Sequence, residues 1–488
     1  SNMELARTWA AVPPNPNQPA YLKLDHEDEV IYNAGRSVKA GTFVALVEQL
    51  TRHDRLDILY NETFLLTYPT FTCAAELVEH LLQRLDLPIP PDLNDDEYED
   101  WLQEKQDPIR IRTVNILKAW IERYWVEPPT EATMDLLRYI ESTVRAAAGP
   151  EGLPTCASLL TIIEHRLSGR DILRRLVSPI DPTIPKSILP RNMKKLKFQF
   201  LDLDATEIAR QLTIIESQFY ARIKSSECLN KDWHKKEIHV PNRIHNHPNY
   251  SGVNAMIAHS NQIANWVAES ILSQDETKKR VALIKHFVSI ADNCNTLNNF
   301  ATLLSIISGL GVSPVFRLQR TWAQVHIRIR TQLETMRTMM CTERNFTRYR
   351  ERLRIAQPPC VPFLGIHLTD LTFITDGNPD HTPASSSMIN FQKRALLARI
   401  LHEMRGYQSM PYNLRPVGEI QDFLIAEIHK AGEMGEMGMY ERSLVVEPRE
   451  GGEDNGDAGG QKGQGVFAAT GSHLGSVVIA SMAMRGRN

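Results

Sequence analysis

Apolar residues in this chain return every three or four positions, and almost nowhere every second one. From Val38 onward, Phe43, Val44, Leu46, Val47 and Leu50 recur at helical spacing, and Leu65 to Leu82 continue the pattern. The signal resumes from Ile109 to Trp125, stops at Pro128-Pro129, and returns over about 131–147 and 155–177. Farther on, Ile284, Phe287, Ala291, Cys294 and Leu304 fall close to one face of the stretch 280–308, the pattern of a buried core helix. Alternation of the strand kind is scarce, so the fold class is all-α.

Prolines, glycines and charge divide these helices into domains. Residues 1–37 hold Pro13, Pro14, Pro16 and Pro19 and read as an extended lead-in. Residues 38–178 form one small helical domain. Within it, 92–107 carries eight acids against the single base Lys105, which reads as a solvated loop or insert. A linker at 179–200 holds four prolines and the basic run Lys194-Lys195-Leu196-Lys197. A larger helical domain spans 201–449. From 450 the chain is Gly-rich and is expected to be disordered, because it cannot bury a core. No repeat of 20–50 residues is visible, which argues against a solenoid.

Composition then excludes several classes of function. The net charge is −3, from 55 basic and 58 acidic residues, and gives no global attraction to nucleic acid or to a membrane surface. No run of 18 apolar residues exists, so no transmembrane segment is expected. The first residues have neither the basic nor the apolar region of a secretory signal, and Ser1-Asn2 before Met3 reads as an added remnant that leaves room for a longer natural chain. The six cysteines form no CxxC pair and fit free thiols in a reducing compartment. There is no phosphate loop, no GxGxxG after a strand, no GxSxG elbow and no HExxH. Cys228, His234, His239, His245 and His247 have no zinc spacing, so neither metal nor cofactor is expected. Residues 317–354 hold ten arginines and three glutamates, with Phe346 and Tyr349 between them. Such a mixture can bind phosphates and stack bases. It reads instead as the solvated faces of long helices, with no nucleic-acid partner.

From 201 onward, strings of residues occur in a recognisable order. They are Leu203-Asp204-Ala205-Thr206-Glu207-Ile208-Ala209-Arg210-Gln211-Leu212-Thr213, Leu297-Asn298-Asn299-Phe300, and Ser313-Pro314-Val315-Phe316-Arg317-Leu318. Pro358-Pro359-Cys360-Val361-Pro362-Phe363-Leu364-Gly365 is the most specific, followed by Leu368-Thr369-Asp370-Leu371-Thr372-Phe373 and Gly377-Asn378-Pro379. Ile389-Asn390-Phe391-Gln392-Lys393-Arg394, Tyr440-Glu441-Arg442-Ser443-Leu444 and Glu447-Pro448-Arg449 close the series. This region resembles the catalytic domain of Ras-family guanine-nucleotide exchange factors, of the fungal type. The first domain resembles the Ras exchanger motif that precedes it, through Lys39-Ala40-Gly41-Thr42-Phe43, the run from Phe64 to Phe71, and Ile111-Arg112 to Trp120.

The resemblance implies a protein that makes and breaks no covalent bond. It implies a Ras-subfamily GTPase, Ras or Rap-like, as partner, and leaves open a second GTPase at the N-terminal domain. It implies action in the cytoplasm, at the cytosolic face of membranes. A helical hairpin from about Leu368 to Met404 is implied to pry aside one switch of the GTPase, with its second helix carrying Ile389, Leu396, Ile400 and Met404 on one face. Thr372 falls where relatives block the GTPase metal site, and Asp376 where they place an acid near the departing phosphate. Asn298, read as lying inside a helix, is expected to bond to backbone and hold the base of the hairpin. Ile257, Ala291, Phe346 and Phe363 are implied to line a pocket for an aromatic residue of the other switch, and Trp233 to add a peripheral contact. The plain alternatives are a solvated hairpin tip and ordinary core packing. At the level of function, the alternative is a scaffold of the same fold that binds a GTPase without opening it.

Overall fold

The computed structural model describes residues 18–148, 154–169, 184–190, 198–229, 231, 233, 251–383 and 385–449. These residues divide into two units. One takes the residues up to 169 together with Leu371–Leu401, and the other takes those from 184 to Asp370 and from His402 to 449.

The first unit opens with β1 (Val30–Tyr32) and β2 (Val38–Gly41). The helices α1 (Phe43–Thr51), α2 (Ile58–Thr67), α3 (Ala74–Gln83), α4 (Asp95–Trp101), α5 (Asp107–Ala119), α6 (Glu131–Ala148) and α7 (Pro154–Leu167) follow. Helix starts are set locally: Thr42 Oγ1 accepts from the Ala45 amide, and Asp57 Oδ1 from that of Tyr60. Leu46, Phe64, Leu77, Ile109, Leu117 and Trp120 are fully buried in its interior.

The acidic stretch 92–107 is not a loop. Asn94 and Glu97 form a reciprocal capping box, and three acids occupy the first turn of α4, where unpaired amides favour negative charge. Lys105, the only base, is 3% exposed and donates to the Lys23 carbonyl at 2.7 Å and the Asp25 carboxylate at 2.8 Å. Charge composition alone does not distinguish such a helix start from a solvated loop.

The second unit holds α8 (Ala205–Ala221), α9 (Ser225–Leu229), α10 (Gly252–Leu272), α11 (Thr277–Thr296), α12 (Phe300–Gly311), α13 (Ser313–Phe316), α14 (Gln319–Gln324), α15 (Ile327–Met339) and α16 (Glu343–Ile355). The division between units falls within α17 (Leu364–Gly377) and α18 (Phe391–Gln408); α19 (Gly418–Lys430) and α20 (Gly435–Val446) complete the second unit. Ile208, Leu212, Val267, Ile284, Phe287, Phe300 and Ile307 are among its fully buried core residues. A Cβ on Gly309 would lie 2.4 Å from the Ala264 carbonyl, so α10 and α12 approach too closely for any side chain there. At the C-terminal end, Glu447 accepts from the Thr321 amide at 2.9 Å and from the buried Arg280 guanidinium at 3.3 Å.

The expected single helix over 280–308 is two. Asn298 has φ +55° in the junction, and Asn299 caps α12 by accepting from the Thr302 amide at 3.1 Å. Two adjacent Asn residues suit that break, since Asn tolerates the left-handed region and competes for backbone hydrogen bonds.

The all-α class holds, with one small exception. Strands β3 (His381–Thr382) and β4 (Ser385–Asn390) lie between α17 and α18 in sequence, and β4 pairs antiparallel with β2. The order is β1-β2-β4-β3, with Ala40 opposite Asn390 and Gly41 opposite Ile389, all inside the first unit. Ile389 is therefore a strand residue and not part of the second helix of the hairpin. Most of the 179–200 linker, His234 to His247 and the Gly-rich tail lie outside the described residues.

Candidate functional site

The sequence singles out residues of two groups, one in each unit. In the second unit, Met256 and Ile257 of α10, Ala301, Leu304 and Ser305 of α12, and Phe363 border a shallow apolar depression of about 10 Å³. Ile257 is half-buried and Phe363 buried. The Phe363 amide donates to the Tyr349 hydroxyl at 2.8 Å, and its ring lies 5.6 Å from that of Phe346 in a tilted contact. Burial keeps the Tyr349 hydroxyl well above its ordinary pKa, so it stays protonated. Gly365 follows for steric reasons, because a Cβ there would come within 2.3 Å of the Phe363 ring.

Phe346 reaches Phe363 from an unusual backbone. Arg344, Asn345 and Phe346 have φ of 48°, 57° and 60°, which breaks α16 near its start. Left-handed residues other than glycine cost about 1–2 kcal/mol each, and such strain is often kept at functional positions. Ala291 is apart from this group. It is completely buried in the core and offers no surface to a partner.

Asn298 is not inside a helix. From its left-handed junction its Nδ2 donates to the Gln357 carbonyl at 3.3 Å, and its Oδ1 accepts from Arg352 at 2.9 Å. Its own carbonyl accepts from the Val361 amide at 3.0 Å, and Phe300 donates to the Val361 carbonyl at 2.9 Å. These bonds pin the segment 357–361 immediately before Phe363.

In the first unit, α17 ends at Gly377, as its glycine and the following Pro379 require. Thr372 is 9% exposed, so little of it is available to a partner. Phe373 is 51% exposed, and Asp376 is exposed in the last turn. An acid there opposes the negative end of the helix dipole. The carbonyl ends of α17 are instead met by Asn378, which donates to Ile374 at 2.9 Å, and by Lys393, which donates to Thr375 at 2.8 Å.

Arg394 anchors the start of α18. It is 1% exposed and donates to the Thr70 carbonyl at 3.1 Å, the Thr70 hydroxyl at 3.2 Å and the Asp380 carbonyl at 3.0 Å. Its guanidinium lies over the Phe71 ring at 5.6 Å. Partial burial raises the Asp380 carboxyl, but Lys393 and Arg394 outweigh it and hold the group below its ordinary pKa. Phe391 stacks on Tyr60 at 4.7 Å.

Sequence reasoning missed Phe373, Lys393 and Arg394 as functional candidates. An exposed Phe between Thr372 and Asp376 was a visible signal. The two cations stand in one of the motifs, but sequence alone assigns them no role there. Trp233 is half-buried, in a stretch otherwise outside the described residues, and Cys228 is buried. Among the described residues no group of His, Cys, Asp and Glu is placed to hold a metal, and no helix is long and apolar enough to cross a membrane.

The family model of the RasGEF domain matches residues 207–395, and that of the RasGEF N-terminal motif matches 37–142. The chain belongs to the RasGEF family of guanine-nucleotide exchange factors. It is similar to cell division control protein 25 of Saccharomyces cerevisiae, at 31% identity over 462 residues, covering 89% of this chain and 28% of the relative. It is 34% identical to cell division control protein 25 of Candida albicans over 444 residues, covering 88% of this chain and 32% of the relative. It is 33% identical to Ras guanine nucleotide exchange factor J of Dictyostelium discoideum over 413 residues, covering 84% and 48%. The chain thus spans between about a quarter and a half of the length of these relatives.

Proposed function

We propose that this protein promotes release of GDP from a Ras-subfamily GTPase and so allows GTP to load. The observation that carries this reading is the RasGEF match over 207–395, which includes both the Phe363 depression and the segment from Thr372 to Arg394. An exchange factor must bind the empty GTPase better than the nucleotide-bound one, and by linkage the nucleotide weakens its binding by the same factor.

The two groups of residues suit separate parts of that task. Ile257, Phe346 and Phe363 offer an apolar seat for a switch aromatic, the kind of anchor that dominates interface energy. The exposed Phe373, beside the mostly buried Thr372, presents a ring toward a metal site that must lose its ion, and Asp376 repels the departing phosphate. The N-terminal motif braces this hairpin through the β2–β4 pairing and the Arg394 contacts with Thr70. Asn298 acts by holding the segment before Phe363.

The test is release of a fluorescent GDP analogue from Ras, Rap, Ral and Rho-type GTPases. Acceleration is expected on a Ras-subfamily member, with excess GDP dissolving the nucleotide-free complex. Binding without acceleration on every GTPase would establish a scaffold instead.

A further inference from the structure

A second cavity lies away from the residues discussed above. It has a volume of about 310 Å³ and lies within the first unit, between the segment 18–36 and the loop joining α1 to α2. That is the size at which small-molecule sites begin, roughly 300 Å³. Four cations line it, Lys23, Arg36, Arg52 and Arg55, against the two carboxylates Glu27 and Asp54. One carboxylate is already engaged, since Arg52 Nε donates to Asp54 at 2.6 Å while its Nη1 donates to Gln49 at 2.8 Å.

The loop is tied to α5 through its backbone carbonyls. Arg112, from α5, donates to the Arg52 and Arg55 carbonyls. Arg36 sits in the β1–β2 turn with φ +59°, its amide bonded to the Asn33 carbonyl at 2.9 Å. Both ring nitrogens of His53 and the Nε of Arg55 are buried without a well-formed hydrogen bond. Burial holds His53 below its ordinary pKa, so near neutral pH its ring is an uncharged donor and acceptor. Buried polar groups of this kind are normally satisfied, and leaving one unpaired is costly. A ligand that fills the cavity with acceptor oxygens removes that cost.

We propose that this cavity binds a phosphate-bearing ligand, a small phosphorylated polyol that is either free or displayed as a lipid headgroup. Arg55 and Arg36 match a phosphate through paired N–H donors. The volume exceeds what phosphate alone needs. Glu27, which would repel a bare anion, instead accepts from ligand hydroxyls. Leu56, Ile58 and Leu59 follow Arg55 directly, and each is more than half exposed. A headgroup presented at a bilayer would therefore bring apolar side chains to the surface as well. The proposal does not depend on exchange activity.

The experiment uses the whole chain. Calorimetry is run with inorganic phosphate and with inositol trisphosphate, and sedimentation with phosphatidylcholine vesicles with and without a phosphoinositide bisphosphate. Saturable binding of inositol trisphosphate is expected, with a raised melting temperature. Arg55→Gln should weaken it about tenfold or more, as loss of a charged hydrogen bond implies. Arg36→Gln and Lys23→Gln, at exposed positions, carry the test if Arg55→Gln does not fold. Arg138→Gln, on the surface of α6, should bind like the parent. Solution binding without gain on vesicles assigns a free ligand, and tighter binding to phosphoinositide vesicles assigns a headgroup; both uphold the site. The proposal is overturned if neither soluble probe nor vesicle binds saturably. Equal binding by the parent and by all three cavity variants overturns it as well.

Discussion

The Phe363 depression and the hairpin are held by different chemistry, though both carry residues proposed to meet a GTPase. The depression is backed by apolar core, and its anchor is fixed by an uncharged bond to the buried Tyr349 hydroxyl. The hairpin depends on charges. Lys393 lies 3.0 Å and Arg394 2.9 Å from the Asp380 carboxylate, whose side chain is over half exposed. Apolar burial changes little with pH or salt, whereas partly exposed ion pairs change with both. The surface expected to bind should thus be constant, and the one expected to open the nucleotide site adjustable.

The contrast is broken most forcefully at Arg394. Arg394→Ala leaves the Thr70 and Asp380 carbonyls and the Asp380 carboxylate without their buried partner. Loss of one member of such a pair typically costs about 3 kcal/mol or more. Hydrogen exchange at 381–394 should accelerate sharply while amides at 346–363 stay protected. Equal loosening of both segments would contradict the division drawn here.

Next in size is Phe363→Ala. Truncating an interface anchor costs about 2 kcal/mol, roughly thirtyfold in affinity. Binding to nucleotide-free GTPase should fall by that factor, with folding checked by circular dichroism. Because Phe363 is also packed on the core, Ile257→Ser is the companion variant, at a half-buried position less costly to fold. If both folded variants bind and exchange like the parent, the depression is core filler.

Acid sharpens the comparison with a smaller effect. The folded-state pKa of Asp380 lies below its ordinary 3.8. Its contribution to stability is therefore complete above the unfolded value and is lost as pH falls through the folded one. The hairpin should loosen below about pH 4, and Asp380→Asn should flatten that acid limb. Tyr349 has the opposite sense: its pKa is raised, so its contribution persists below 10 and is lost only as pH rises past that value. Melting temperature against pH, for parent and Asp380→Asn, reads both limbs.

The smallest expected effect is at Asp376. Asp376→Asn should slow nucleotide release by about fivefold or less, because repulsion at an exposed position is screened. Affinity for the empty GTPase should not change, and the rate difference should shrink as salt rises. A large loss of affinity would place Asp376 in the binding surface instead.

Much of this was legible before any coordinates. The helical repeat located most helices of the first domain and the α11–α12 stretch, and Gly377-Asn378-Pro379 marked the end of α17. Phe363 stood out through its motif, and Gly365 is explained by the ring it must accommodate. Ala291 was misplaced because a small apolar residue in a helical stripe reads the same in a pocket as in a core. Asn298 was misread because a stripe on 280–308 can continue across a junction. The acidic stretch 92–107 was misread because acids favour both solvent and helix starts.

Sequence by itself determined the helical class, the order of the motifs, a few helix ends and the identity of the family. Each depends on contacts among residues a few positions apart, which periodicity and caps express directly. Only the tertiary structure decided that Ala40 pairs with Asn390, that Arg394 is buried against Thr70, and that four cations converge on a cavity beside β1. A short strand whose partner lies hundreds of residues away leaves little periodic trace. A cation likewise looks the same in sequence whether it faces water or a buried carbonyl, because the energy that fixes it comes from groups the folded chain supplies.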